Sequence, residues 1–461
     1  MKNSKKKTKT TLKNTLVLKS KMQDLKDSLK IVGGKKLKGK IRPQGAKNEA
    51  FQVIAGALLT SEKVTIKNIP DILDIRNLFD ILKIIGVKIE NFSPGEYIFD
   101  SSGIDVSKMQ TKEFSNSFSK LRGSLMVAGA MLGRFGLGYL QEPGGDKIGV
   151  RPVTTHLRGF VDIGATFQKE VDLQKIEFKK INSKRITLRE ASVTGTANVI
   201  LASVLQKESP HELEIFNSAC EPYIEQLCKM LNKMGANISG AGTNLLKIKS
   251  VEKLSGTEHE LLPDMIEIGS LISLAVVCGD GILIEGAKLS YLGDIANIIF
   301  QKLGVKIEER EDGLFIPEHK EFSIQTPSAR GKSIRVIYDD KWPGLSPDHI
   351  SSLIVMSVFA KGSVTFRQRM FDRRLLFCDV LNQMGAEIVM SHHQEVTVIG
   401  NNRKNDLIGL NMASPDIRAG MALLIAALSA KGESVINNAS QIHRGYEKIV
   451  ERLSALGAEI S

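Results

Sequence analysis

Polar side chains recur at the starts of the alanine- and leucine-rich helices that the sequence predicts. The clusters are Lys47 with Asn48 in QGAKNEA, Arg122 in KLRGS, Thr194 in SVTGTAN, Asp264 in LPDMIEIGS, Asp348 in LSPDHISS, and Asp416 with Arg418 in SPDIRAG. A helix N-terminus is partly positive because its first N–H groups are unpaired and the macrodipole is aligned there, so it attracts anions. If these starts face one cleft, we expect it to take an anionic substrate.

A second kind of polar cluster follows a strand, as in PGGDKIGVR, RMFDRR and IHRGYE. These clusters supply Arg151, Arg374 and Arg444. One arginine on a loop is most often solvated surface. Recurrence at equivalent positions of a repeat favours a second set of anion-binding side chains around the same cleft.

The elements that position these residues come from an internal repeat. A five-residue motif occurs six times at intervals of 69 to 81 residues. It consists of an apolar residue, a glycine, an alanine or valine, any residue, and an isoleucine or phenylalanine, as in MGANI. Its glycines are Gly86, Gly164, Gly235, Gly304, Gly385 and Gly457. Each copy follows apolar residues spaced three and four apart, as in YIEQLCKMLNKMG. The pattern predicts a helix that ends on a left-handed glycine and leads into a strand.

Repeats of this length predict six discrete α/β units in two lobes of three. The last unit lacks a closing strand, so we expect the N-terminal strands to complete it. The predicted C-terminal lobe therefore contains residues 29–44 and 263–461, and the N-terminal lobe contains residues 45–262. Residues 1–28 form a basic tail that we expect to be disordered.

Composition narrows the class of protein. The 461 residues exceed what one core usually supports, and 42% hydrophobic with 25% charged residues is typical of a soluble protein. The net charge of +12 comes largely from the first 21 residues, which hold eight lysines and no acid. No apolar stretch approaches the ~20 residues that span a bilayer, so we expect no membrane span. Four cysteines without a CxxC pair predict free, buried thiols in the cytoplasm.

Other motifs carry less weight. GLGYLQ and GAGTNL lack the third glycine of a dinucleotide-binding loop, and the sequence contains neither GxxxxGK[ST] nor GxSxG. His392 and His393 have no companion at metal-ligand spacing, which favours a surface turn. His156 and His349 lie beside the helix-start clusters, and His156 is either part of the cleft or structural.

The motifs GAKN, LRGS, RFG, PGGDKIGVRP, LPDMIEIG, SPD, DIRAG and RGYEKI stand in this order along the chain. On these motifs, residues 29 to 461 resemble the enolpyruvyl transferases, especially those whose acceptor is UDP-N-acetylglucosamine. The resemblance implies a two-lobed inside-out α/β barrel that closes over its substrates. It implies transfer of the enolpyruvyl group of phosphoenolpyruvate to the sugar 3-hydroxyl with release of phosphate, the first committed step of peptidoglycan precursor synthesis. We expect no metal, cofactor or nucleic acid, and a monomer.

The resemblance also implies roles for single residues. Asp348 would be the base for the hydroxyl. The phosphate and carboxylate of phosphoenolpyruvate would be held by Lys47, Arg122, Arg151 and Arg444. Asn48 would meet the sugar, and Arg374 would bind or clamp the substrates. The other substrate-binding residues implied are Pro152, Val153, Thr154, Thr155, Ser192, Val193, Thr194 and Met370 beside the nucleotide, and Asp416 and Arg418 in the C-terminal lobe.

Asp146 stands in loop 141–152, which the resemblance implies is a lid. Most members carry a cysteine at this position. Asp146 would be the general acid, and Gly144 and Gly145 would let the loop hinge. Its basic neighbours lower its pKa, whereas burial and the bound trianion raise it. Because a carboxylate is a weaker nucleophile than a thiolate, epoxides that alkylate the cysteine form, such as fosfomycin, are expected to fail.

Three alternatives remain open from the sequence. The sister enzyme that makes 5-enolpyruvylshikimate 3-phosphate shares the lobes and the donor, but it normally shows GSKS in place of GAKN and lacks the PGGD loop. A polyanion-binding protein would use the lysine-rich tail, although aromatic residues for stacking are few. A degenerate member would have lost activity.

Overall fold

The computed structural model describes residues 27–141, 143–145, 148–149, 151–169, 173–206, 211–326 and 333–461. Most of the predicted tail and Asp146 lie outside the described residues. Within them, no helix is both long and apolar enough to cross a membrane.

Twenty-three strands are present in the described part of the chain. In chain order they are β1 Ser28–Val32, β2 Leu37–Ile41, β3 Val64–Lys67, β4 Lys88–Ser93, β5 Glu96–Asp100, β6 Leu137–Leu140, β7 Thr166–Lys169, β8 Gln174–Glu177, β9 Arg185–Thr187, β10 Glu212–Phe216, β11 Asn237–Ser239, β12 Leu245–Lys249, β13 Glu258–Glu260, β14 Gly279–Glu285, β15 Glu308–Arg310, β16 Gly313–Ile316, β17 Arg335–Tyr338, β18 Lys361–Arg367, β19 Glu387–His392, β20 Glu395–Asn401, β21 Asn411–Ala413, β22 Glu433–Asn437 and β23 Glu459–Ile460.

Fourteen α-helices occur over the same residues. They are α1 Lys47–Ala57, α2 Leu73–Ile84, α3 Lys112–Phe118, α4 Leu125–Phe135, α5 Thr154–Ile163, α6 Val193–Ser203, α7 Pro222–Lys233, α8 Met265–Cys278, α9 Leu289–Lys302, α10 Ile350–Val358, α11 Cys378–Gln383, α12 Ile417–Ser429, α13 Ser440–His443 and α14 Ile449–Ser454. Short 3-10 turns cover Val106–Gln110, Arg122–Ser124 and Pro347–His349.

The strands form six small sheets, one for each predicted unit. Their strand orders are β13-β3-β5-β4, β6-β8-β7, β11-β12-β10-β9, β15-β16-β14-β2, β17-β18-β20-β19 and β21-β22-β1-β23. Each four-stranded sheet joins one parallel pair to antiparallel neighbours, such as β9 parallel to β10. This recurring topology is what a repeated sequence unit predicts.

Helices lie inside the sheets. In the first lobe α1, α4 and α6 pack on one another, and in the second α8, α10 and α12 do the same. Every residue of α8 and α10 is buried, in keeping with the largely apolar sequences of these two helices. A helix such as α7 buries only one face, and it packs mainly on the inner helix α1. The predicted fold class, a two-lobed inside-out α/β barrel of six units, is confirmed.

The six repeat glycines end helices as predicted. Their φ angles lie between +85° and +112°. In every copy the glycine N–H bonds to the carbonyl three residues back, and the next N–H bonds to the carbonyl four residues before the glycine, as at Gly235 and Ala236. This is the Schellman motif, which satisfies the last carbonyls of the helix and turns the chain toward the next strand.

The first and last strands of the described residues meet in the second lobe. β1 pairs antiparallel with β22 and β23, and β2 pairs parallel with β14. Buried apolar residues form one large cluster from 29–41 and 268–458, and another from 50–261. Between them two segments run side by side, joined by hydrogen bonds from Ala46 to Leu262 and from Asp264 to Gln44. These contacts support the predicted lobe boundaries, which stay a prediction.

Candidate active site

A cavity of about 410 Å³ lies between the lobes and is lined by the starts of the inner helices. Of the residues predicted from sequence, it brings together Lys47, Asn48, Arg122, Arg151, Pro152, Ser192, Val193, Thr194, Asp348, Met370, Arg374, Arg418 and Arg444. The lobes contribute cations from opposite walls. Several helix N-termini and six of the predicted basic side chains therefore face one cavity, as the sequence pattern predicts for an anion site.

One carboxylate in the cavity is held entirely by its own lobe. Asp348 Oδ1 lies 2.9 Å from Arg374 Nη2, and Asp348 Oδ2 lies 3.0 Å from Arg418 Nε. We call these three residues the intralobe cluster. Burial alone would raise the pKa of the Asp348 carboxyl, but the two guanidinium groups outweigh it and hold that pKa far below its ordinary value. Asp348 is therefore ionised at neutral pH.

The intralobe cluster keeps donors free for a ligand. Arg374 is only 3% exposed, and its Nε and Nη1 have no hydrogen-bond partner in the described residues. Unpaired guanidinium donors are costly to bury, so an oxygen-rich ligand would stabilise them. Arg418 is held more firmly, because it also donates to the hydroxyl of Tyr446 at 3.2 Å.

A second carboxylate joins the two lobes. Asp74 Oδ2 lies 3.0 Å from Lys47 Nζ in the first lobe, and Asp74 Oδ1 lies 2.9 Å from Arg444 Nε in the second. We call these residues the crosslobe cluster. Asp74 is 3% exposed. Burial would raise the pKa of its carboxyl, but Lys47 and Arg444 hold that pKa below its usual value. The ionised Asp74 separates two cations that would otherwise repel each other.

Asp74 is a residue that our sequence analysis missed. It lies at the start of α2, the second helix of the first unit, in the sequence IPDILDIR. Equivalent regions of other units supply Arg151, Arg374 and Arg444, so the repeat offered a signal. An aspartate near a helix start is usually a cap, and nothing local distinguishes Asp74 from one.

Arg122 is tied to the loop that the sequence predicts as a lid. Its Nη1 donates to the carbonyl of Arg151 at 2.8 Å, and its Nη2 donates to that of Pro152 at 3.3 Å. Burial and the nearby Arg151 lower the pKa of Arg122 to about 10, so it remains charged at neutral pH. One wall of the cavity thus depends on where this loop lies.

The loop also contacts the opposite lobe. The backbone N–H of Arg373 donates to the carbonyl of Ile148 at 3.2 Å. Gly145, with φ of +116°, lines the cavity. Asp146, the predicted acid between them, lies outside the described residues. The described loop residues bridge the lobes beside Arg374.

Four predicted contacts lie off the cavity wall: Val153, Thr154, Thr155 and Asp416. Thr155 is buried and donates to Glu190 Oε1 at 3.0 Å. Asp416 caps α12 by accepting from the N–H groups of Arg418 and Ala419. Both anchor residues that line the cavity, and their predicted substrate contacts stay predictions.

The predicted histidines take structural positions. His156 is 2% exposed and contacts Asn198 and Thr194 through its two ring nitrogens. Burial and the Arg122 guanidinium lower the pKa of His156 to about 3, so its ring is neutral. His392 and His393 are exposed at the end of β19, as expected. Across the described residues, no group of acids, histidines and cysteines could hold a metal ion.

The cysteines agree only partly with expectation. Cys228, Cys278 and Cys378 are buried free thiols, but Cys220 is half-buried and lines the cavity. Its Sγ donates to the carbonyl of Trp342, across the lobes, at 3.4 Å. The apolar neighbours of Cys220 in the sequence did not reveal this, because the covering residue comes from the other lobe.

The cavity thus combines an ionised carboxylate, a ring of cations and a loop that spans the lobes. Such a site can bind a multiply charged anion, take a proton from a hydroxyl and stabilise negative charge in a transition state. These are the requirements of group transfer from a phosphorylated donor.

Solved structures place the fold among the enolpyruvyl transferases. The enolpyruvyl transferase NikO from Streptomyces tendae superposes with a TM-score of 0.81 at 21% identity, covering 94% of this chain and 98% of that one. EPSP synthase from Acinetobacter baumannii gives a TM-score of 0.72 at 17% identity, with 94% and 99% covered.

The family model described as EPSP synthase (3-phosphoshikimate 1-carboxyvinyltransferase) matches residues 31–453, and the chain belongs to this family. Relatives named UDP-N-acetylglucosamine 1-carboxyvinyltransferase include those of Bacteroides fragilis, 46% identical over 94% of this chain and 99% of the relative. The relative from Porphyromonas gingivalis is 45% identical, covering 94% and 98%. The one from Treponema pallidum is 36% identical with the same coverage.

Proposed function

We propose that this protein transfers the enolpyruvyl group of phosphoenolpyruvate to the 3-hydroxyl of UDP-N-acetylglucosamine and releases phosphate. The protein is a transferase of peptidoglycan precursor synthesis. The single observation that carries this proposal is the interlobe cavity, into which Lys47, Arg122 and Arg151 face from one lobe and Arg374, Arg418 and Arg444 from the other. Relatives at 46% identity whose names state this activity support the choice of substrates.

The donor binds among the cations. Lys47 and Arg444 already share Asp74, so a phosphate bound there would meet two positive groups held at fixed positions. Arg122 and Arg151 supply charge from the loop side. Fixed cations in a water-poor cavity stabilise charge that develops on the donor without reorganising. Asn48 lies beside Lys47 and faces the sugar.

Asp348 acts as the base. It is ionised, and it can accept the proton of the sugar 3-hydroxyl as that oxygen attacks the central carbon of the donor. Its two arginines also make it a weak base in the unliganded protein. Anionic substrate oxygens that bind the free donors of Arg374 offset that positive charge and raise the basicity of Asp348 when both substrates are present.

Asp146 supplies the proton to the donor's methylene carbon, which gives the tetrahedral intermediate. Loss of a methyl proton and of phosphate then releases the product. Incubation with fosfomycin tests this assignment: we expect the wild type to resist, and Asp146→Cys to gain sensitivity while keeping activity. Ready alkylation of the wild type at Asp146 would contradict it.

The nucleotide lies along Pro152, Ser192 and Thr194 on one side and Met370 on the other, all of which line the cavity. Ser192 also caps α6 by accepting from the N–H of Gly195, which fixes the loop that precedes the helix. We place the protein in the cytoplasm as a monomer. Size-exclusion chromatography with light scattering tests the oligomeric state.

The decisive experiment is incubation with phosphoenolpyruvate and UDP-N-acetylglucosamine, with inorganic phosphate measured and the product mass determined. Shikimate 3-phosphate as acceptor tests the second candidate, which the family description itself raises. We expect phosphate release with the nucleotide sugar only. Release with shikimate 3-phosphate alone would overturn the proposal.

A further inference from the structure

Two units carry an acid at the position where three other units carry arginine: Asp74 in the first unit, which is paired with Lys47 and Arg444, and Glu221 in the third. Arg151, Arg374 and Arg444 follow the strand of their units and line the cavity. In the third unit the equivalent cluster is SACEPYIE, and Glu221 stands directly before Pro222, the first residue of α7. Glu221 lines the same cavity. Glu221 thus adds a further carboxyl group to the cavity wall, beside those of Asp74 and Asp348.

Glu221 has an unusual environment for a carboxyl group. Its side chain has neither an ion pair nor a hydrogen bond to any described residue, and it does not cap α7. The neighbouring carboxylates of Asp348 and Asp264 act on it electrostatically. Burial is the main cause that raises the pKa of Glu221 to about 8, and the negative charges of Asp348 and Asp264 raise it further.

The nearby cations do not relieve this arrangement. Lys47 is paired with Asp74, and both Arg374 and Arg418 are paired with Asp348. Asp264 is itself occupied by the first N–H groups of α8. At neutral pH Glu221 is therefore mainly the uncharged acid, which has a hydrogen to donate.

The cavity thus holds two carboxyl groups in opposite states. Asp348 is ionised, whereas Glu221 is protonated, and carboxyl groups that their surroundings separate in this way take different roles in a site. A neutral acid can stand close to a multiply charged ligand without repulsion. A bound anion favours the neutral form further.

We propose that Glu221 is a substrate-binding residue whose carboxyl group donates a hydrogen bond to an oxygen of a bound substrate. The inference rests on the proposed function and adds a binding residue to it. The oxygen belongs either to the phosphoenolpyruvate anion or to the acetamido carbonyl of the sugar. Loss of the Glu221 side chain would raise the KM for phosphoenolpyruvate in the first case and the KM for UDP-N-acetylglucosamine in the second.

The test compares Glu221→Gln, Glu221→Ala and the control Glu225→Gln. Glu225 lies one turn along the same helix, at the surface, and pairs with Lys229 at 2.8 Å. Phosphate release is measured from pH 6 to 10 with each substrate varied in turn. Thermal melting confirms that each variant is folded.

In the wild type we expect kcat/KM to fall above about pH 8, as Glu221 loses its proton. The amide of Glu221→Gln donates a hydrogen bond but does not titrate, so this variant should keep activity within about threefold at pH 7 and lose the alkaline fall. Glu221→Ala should lose about tenfold in kcat/KM, through the KM of the substrate that Glu221 contacts. Glu225→Gln should match the wild type throughout.

Two results would overturn the inference in an active protein. One is wild-type activity of folded Glu221→Ala at pH 7, and the other is an unchanged alkaline fall in Glu221→Gln. A wild type that releases no phosphate with either acceptor would instead remove the proposed function, and this inference with it.

Discussion

The intralobe and crosslobe clusters are built alike, with one aspartate between two cations, yet they depend on different parts of the molecule. Asp348, Arg374 and Arg418 all belong to the second lobe. Asp74 instead joins Lys47 of the first lobe to Arg444 of the second. The intralobe cluster can form whenever that lobe is folded, whereas the crosslobe cluster exists only while the lobes are closed.

This difference separates two tasks. The intralobe cluster keeps Asp348 ionised and orients it. The crosslobe cluster couples closure to the placement of the two cations that we propose hold the donor phosphate. Because Asp74 uses both oxygens, losing either partner leaves a buried charge poorly compensated, which makes closure and cation placement interdependent.

Replacing the intralobe carboxylate should have the largest effect. Asp348→Asn keeps the shape of the side chain but removes the base, so we expect kcat to fall by roughly 10²–10⁴. Phosphate release measures the rate, and thermal melting shows whether the variant is folded. A fall of less than tenfold would remove Asp348 from the role of base.

Replacing the crosslobe carboxylate should have an intermediate effect. Asp74→Asn leaves Lys47 and Arg444 without their shared anion, and we expect kcat/KM for phosphoenolpyruvate to fall by about 10- to 100-fold, because the two cations lose the buried charge that places them. Small-angle scattering should show a larger radius of gyration. The control is Asp80→Asn, an exposed acid on the same helix that pairs with Lys83.

If Asp74→Asn loses activity while scattering shows unchanged closure, then Asp74 positions the cations and does not latch the lobes. The opposite result, open lobes with normal kcat at saturating substrate, would show that its task is closure alone. Either result sharpens the contrast between the clusters.

The stability contributed by Asp74 should depend on pH in a defined direction. The folded pKa of Asp74 is lowered, so its contribution is full above the ordinary aspartate pKa of ~3.9 and is lost as pH falls through the lower folded pKa. We expect the melting temperatures of wild type and Asp74→Asn to differ by several degrees at pH 7, and the difference to shrink below about pH 4. A difference that widens in acid would contradict this sign.

The smallest effect should come from an exposed pair between the lobes. Lys341 Nζ lies 3.8 Å from Glu190 Oε2, with side chains 35% and 51% exposed. Exposed ion pairs contribute about 0–1 kcal/mol, so Lys341→Ala should change kcat/KM by less than about threefold. Phosphate release measures the change. A larger loss of kcat/KM would show that an ion pair between the lobes contributes to activity even when it is exposed.

Much of the architecture could be predicted from sequence because its signals are local. A glycine that must adopt positive φ is recognised from a few residues, and all six repeat glycines end helices as expected. Helix starts such as those at Lys47 and Asp264 are equally local. The repeat then placed these starts at equivalent positions, and the cavity brings most of the predicted residues together.

The sequence did not reveal which charged residues contact one another in the folded protein. Asp74 was missed because its partners lie 27 and 370 residues away, and no local pattern joins them. Glu221 was missed for the same reason, since Asp348 and Asp264 approach it only after folding. Thr155 and Asp416 lie off the cavity wall and anchor residues that line it, and their predicted substrate contacts stay predictions.

By itself, then, the sequence determined the six units, their helix ends and the set of residues available for chemistry, because these depend on spacing within about ten residues. Only the tertiary structure decided which of those residues are charged, paired or open to a ligand. That decision depends on burial and on distances of a few ångströms between distant segments, and electrostatic energies change steeply with both.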